Sequence, residues 1–212
     1  MSNANRNRKR RLKKKGLLQK LRRKYDFRPD VQNRTWLKVF HLTNLQRRGL
    51  LKWSLYALVC IAALLIQDVI MSRFHFFGGT TDLPVCVILL ITVIEGIDNG
   101  SIFVLLASLI YFFSGSSPGA FSVALLTIYG TGAAIFRQAY WHRNRRSIVL
   151  CVGIALMTYE LSVFAAGLCL DLTHFGRVGA FLVTGLISCV LLLPLYPLIN
   201  RIGRIGGTEW KE

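Results

Sequence analysis

Ionisable side chains set in apolar surroundings are the residues of this 212-residue chain best placed to do chemistry, and Glu160 comes first. It stands alone among acids in a long apolar run, where a charge is costly and a carboxyl is by default a candidate for coupling or ligand binding. No Lys, Arg or His lies within a helical turn of it. Proton or ion transport normally uses a relay or a pair on facing helices, so the balance favours a structural carboxyl beside Tyr159, protonated or hydrogen-bonded between helices. Glu95 and Asp98 fall in a polar stretch between two apolar runs and read as solvated turn and cap residues, open to a basic partner. Asp68, Asp82 and Asp171 fall at helix ends, where caps and water account for them. His41, His75, His142 and His174 are isolated, with no pair at metal-ligand spacing. The five cysteines are scattered singly through apolar runs without a CxxC and read as small buried hydrophobes. There is no nucleophile elbow, P-loop, dinucleotide fingerprint, HExxH or paired-carboxylate site. No catalytic, cofactor-binding or metal-ligating residue is expected, and the protein is not expected to be an enzyme.

The elements that must hold these residues follow from how apolar and charged residues are divided. The chain is 53% hydrophobic with mean hydropathy +0.44, yet carries a formal net charge of +17. Residues 1–48 hold 17 of the 27 Lys and Arg against two acids, and the rest of the chain is almost neutral. That split excludes a nucleic-acid-binding globule and an ordinary cytosolic enzyme, because the long segment lacks the polar surface a soluble fold needs. The expected fold is an all-α polytopic membrane protein: a basic cytoplasmic and interfacial tail (1–48), a six-helix membrane domain (49–204) and a short cytoplasmic carboxy-terminal tail (205–212). The six expected spans are 50–71, 83–97, 101–114, 120–136, 147–170 and 178–199, the first entered through Lys52 and Trp53, residues suited to snorkelling and to the aromatic belt. The second and third are short, and Pro84 sits in the first turn of the second, where a missing N–H costs nothing. Counting Lys and Arg supports two spans there over one long kinked helix. With six spans and a cytoplasmic amino terminus, 25 of the 27 fall inside and only Arg73 and Arg177 outside, whereas merging the pair puts eight outside. Both termini are therefore expected in the cytoplasm.

Within the tail, Arg6 to Lys24 is nearly continuous Lys and Arg with Leu12, Leu17, Leu18 and Leu21 interleaved. Such a segment is expected to lie on anionic lipid. Nucleic acid is not an expected partner, because the aromatic interleaving of a binding platform is missing. Val31 to Arg48 carries Trp36, Leu37, Val39, Phe40 and Leu42 among polar residues and suits an interfacial helix entering the first span.

The order of features over 50–204 resembles the rod shape-determining membrane protein family MreD. The resemblance rests on a first span ending in Gln67, an outer turn at Gly78-Gly79 leading to Pro84, a short second span closing with a Gly100 turn, Ser117-Pro118-Gly119 opening the fourth, and the close Arg201-Ile-Gly203-Arg204. Glycines common in the third span of such chains are replaced here by Ala107 and Ser108. The resemblance implies a non-enzymatic integral subunit of the bacterial cytoplasmic membrane, part of the cell-elongation and peptidoglycan-synthesis machinery. Its partners would be an MreC-like membrane protein, the actin-like MreB filament and peptidoglycan synthases. Lipid-facing helices and the outer turns, with Gly78, Gly79, Asp82, Pro84, Pro118 and Gly119, would be the contact surfaces. MreD also looks distantly similar to the substrate-binding subunits of energy-coupling-factor vitamin transporters, which supplies a second expectation. A capture protein of that kind would use polar groups at its outer end, and Asp82, Glu160, Asp171 and His174 are the candidates.

Overall fold

The computed structural model describes residues 44–73, 79–140 and 144–205, which form an all-helical membrane protein without a β-strand among them. The basic segment 1–43, Gly78, His75, His142 and residues 206–212 lie outside the described residues, and with them the expectations for the lipid-binding tail and the carboxy-terminal tail. The six apolar runs become six helices: α1 (Asn44–Val69), α2 (Leu83–Glu95), α3 (Ile97–Phe113), α4 (Phe121–Tyr140), α5 (Arg145–Cys169) and α6 (Val178–Ile205). One-turn 3-10 segments, Met71–Arg73 and Phe175–Arg177, follow α1 and precede α6.

Three segments are long and apolar enough to cross a membrane: Arg47–Val69, Arg145–Cys169 and Phe175–Ile205. Two further helices, α2 and α3, are apolar but shorter. α4 has 20 residues, but Thr127, Thr131, Gly130, Gly132 and Arg137 dilute its apolar character. All long helices turn large apolar side chains outward; on α1 these include Leu51, Leu58, Ile61, Leu65 and Val69, which follow one another along one stripe, with Leu50 and Ile66 beside it. Such exposure suits lipid, not water.

The centre of the molecule is its shortest helix. All 13 residues of α2 are buried, and α2 packs against each of the other five helices. A helix that is apolar on every side has no face to give to solvent, so burial all round is where its sequence is most stable. Its one internal hydroxyl, on Thr92, donates to the Ile88 carbonyl at 2.7 Å, so nothing polar is stranded within it. The other helices form a ring around it: α3 on α4, α4 on α5, α5 on α6 and α6 on α1. Trp53 and Tyr56 of α1 close the ring against Phe103 of α3, with ring centroids 5.9 and 6.1 Å apart.

Gly96 alone separates α2 from α3, at φ 86°, a conformation that L side chains rarely adopt. The chain folds back there so tightly that a Cβ on Gly100 would lie 2.5 Å from the Thr92 carbonyl oxygen. Two helices, not one long kinked one, occupy this stretch.

Candidate functional site

At about 1.5 Å per residue, α2 is only about 20 Å long, against a hydrocarbon core of ~30 Å. Each of its ends therefore meets the surrounding helices below their tips, and a polar cluster is built at each.

At the carboxy-terminal end, Glu95 is buried and accepts two hydrogen bonds from α1, from Lys52 Nζ at 2.7 Å and from Tyr56 OH at 2.6 Å. Lys52 is buried as well, its ammonium 5.8 Å from the Tyr56 ring centroid, and Trp53 packs edge-on against the same ring. The far end of α6 closes over this group, since a Cβ on Gly203 would stand 3.1 Å from Tyr56 OH. Two sequence expectations are corrected here. Lys52 does not snorkel outward, and Glu95 is not a solvated turn residue, because each is the counter-charge that makes burial of the other tolerable. Asp98, by contrast, is exposed as expected.

At the opposite end, the first N–H groups of α2 have no intrahelical partners and are buried, so side chains from neighbouring helices must accept from them. Asp82 N–H donates to Ser188 Oγ of α6 at 3.0 Å, and Leu83 N–H donates to Gln67 Oε1 of α1 at 3.2 Å. Pro84 needs no acceptor. Just upstream, Thr80 N–H donates to Thr184 Oγ1 at 3.2 Å. The side chain of Asp82 makes no capping bond, contrary to its reading as a cap. Its carboxyl instead lies with that of Glu160, and both line one cavity of about 950 Å³ with Thr80, Tyr111, Ser116 and Arg177 around them. Burial raises the Asp82 carboxyl above its ordinary value, and the neighbouring Glu160 side chain acts the other way. Apolar lining comes from Val163, Phe181 and Val183. Ser116 Oγ donates to Asp68 Oδ1 at 2.7 Å, tying the turn after α3 to the end of α1.

The structure thus joins Asp82 and Glu160, and separates the other candidates from them. Asp171 and His174 are exposed in the loop after α5 and do not line the cavity. Of the proposed contact turns, Gly79 and Pro84 are buried and unavailable as surface. A Cβ on Gly79 would lie 2.8 Å from the Ala180 carbonyl oxygen, so the glycine is there for close approach to α6. Pro118 is exposed and Gly119 half-buried. Arg177, read only as a loop charge, stands at the cavity and is exposed. No group of three or more His, Cys, Asp or Glu among the described residues could hold a metal ion. Polar side chains from different helices thus converge at both ends of α2.

Neither a protein-family model, nor a curated protein, nor a solved structure matches this chain.

Proposed function

We propose that this protein is a membrane scaffold of the MreD type: six spans in the bacterial cytoplasmic membrane, both termini in the cytoplasm, no chemistry of its own. It would hold an MreC-like partner in the machinery that elongates the cell wall, together with the actin-like filament and peptidoglycan synthases. The observation that carries this reading is the isolation of the two polar clusters from one another. Between them runs α2, wholly buried and apolar from Leu83 to Ile94 apart from a satisfied Thr92. A transporter of ions needs a polar route, and a packed helix of this kind offers none. What the molecule does offer is apolar helix surface, such as the α1 stripe, on which a partner's membrane helix can pack. The marker positions of the resemblance also fall at element boundaries: Pro84 in the first turn of α2, Gly100 in the first turn of α3, Pro118 and Gly119 just before α4.

Depletion is expected to give rounded cells and to release the MreC-like partner from the complex isolated with the other elongation proteins. Rod-shaped cells on depletion, with loss of uptake of one vitamin, would overturn the scaffold reading in favour of the second. That second reading, a substrate-capture subunit of a vitamin transporter, is favoured by one feature, the cavity holding Asp82 and Glu160 at the end assigned to the outside.

A further inference from the structure

Five buried side-chain oxygens, on Thr81, Ser117, Tyr159, Glu160 and Thr173, lack a hydrogen-bond partner among the described residues, and they lie toward the Asp82 end of the bundle. Glu160 is 4% exposed, and its Oε1 makes no hydrogen bond although the residue lines the cavity. An unpartnered buried carboxylate oxygen is expensive, and two carboxyls placed together in a low-dielectric site cannot both ionise unless a cation joins them. Among the described residues no Lys or Arg makes an ion pair with either acid, and the buried Lys52 is engaged with Glu95 at the far end of α2. Arg177 reaches only the exposed rim, where water screens its charge. The other titratable groups around the pair, Tyr111, Tyr159, Cys86 and Cys189, are phenols and thiols that add no positive charge. The space itself, about 950 Å³, is at the upper end of the ~300–1,000 Å³ typical of ligand pockets, and its walls are part apolar.

We propose that this cavity is a binding site for an organic cation, its ammonium seated between Asp82 and Glu160 and its apolar body against Val163, Phe181 and Val183. The ammonium supplies N–H donors to the unpartnered Glu160 oxygen and lets both acids ionise together. Neither a neutral isostere nor an anion does this. The ammonium can come from a free amine or from a Lys side chain of a partner protein; the recognition chemistry is the same. The site is independent of the scaffold reading, which can fail in depletion experiments without affecting it.

The test uses the full chain purified in detergent micelles, with fluorine NMR line broadening of 4-fluorobenzylamine and of its neutral counterpart 4-fluorobenzyl alcohol. The amine is expected to bind at least tenfold more tightly, and Glu160→Gln to abolish that preference. Asp82→Asn, measured alongside with melting temperatures for both variants, serves if Glu160→Gln does not fold. Equal binding of amine and alcohol to the unaltered protein overturns the proposal, as does a preference that survives in a folded Gln or Asn variant. A second arm compares the peptide acetyl-Leu-Lys-Leu-amide with its Nε-acetyl-lysine form. Tenfold tighter binding of the lysine peptide than of the benzylamine assigns the cation to a partner's Lys, and the reverse assigns it to a free amine. Either result requires the acetylated peptide to bind more weakly, and failure of that discrimination counts against the site.

Discussion

Lys52 and Glu95 stabilise the fold by mutual neutralisation, which makes the pair asymmetric toward mutation. Lys52→Met leaves a carboxylate buried with only the Tyr56 hydroxyl for company, and removing one partner of a buried pair costs about 3–5 kcal/mol. That loss is expected in the free energy of unfolding measured in mild detergent. The double variant Lys52→Met with Glu95→Gln should recover part of it, because no charge is then stranded. A single variant as stable as the parent would mean that the pair contributes little. The sequence held half of what was needed to see this group. Lys52 at the start of the first span and Glu95 at the end of the second must share one side of the membrane, but judged one helix at a time they read as a snorkelling lysine and a wet turn. Asp82 and Glu160 were singled out, yet their meeting was not legible. Asp82 belongs to the turn before α2, Glu160 lies within α5, and only the packing of both around one cavity brings them together.

The helix bounds were largely legible, because apolar runs interrupted by Gly, Pro and polar clusters mark where chain leaves a membrane. The second and third runs were correctly separated, and Pro84 lies in the first turn of α2 as expected. That the shortest run is the hub of the bundle was not read, although its sequence carried the sign: LPVCVILLITVI shows no polar face at all. Helical periodicity finds helices with two unlike faces, and a helix without faces is central. The hinge between α2 and α3 gives a test at this scale. Gly100→Ala must push α3 away from Thr92, and an overpacked contact of this kind costs ~1–3 kcal/mol. Gly132→Ala on α4, where a new Cβ meets nothing within 4 Å, should be neutral or add up to about 1 kcal/mol from helix propensity. Melting temperatures of the two variants in the same micelles compare them directly, and equal melting would contradict the close packing at Gly100.

For the whole molecule, the distribution of Lys and Arg predicts which end faces the cytoplasm. With the five native cysteines replaced, Pro118→Cys is expected to react with an impermeant maleimide added to intact cells, and Asn144→Cys only after the cells are opened. Both positions are exposed. Labelling of position 144 from outside would invert the assignment and place the Asp82 cavity in the cytoplasm. The central position of α2 also bears on how the chain matures. Its start is capped by Ser188, and the turn before it is fastened to Thr184, both residues of α6, which leaves the ribosome after α1 to α5. Until that helix arrives, the second one emerges into the bilayer with its opening amides unsheltered, too short to reach both surfaces, and with one wall of its housing missing. Contacts between segments so distant in the chain are slow to form, and a half-made chain waits exposed to chaperones and proteases. The fold therefore closes only once α6 has been made, and a chain that stops before α6 has a core with nothing to lock it.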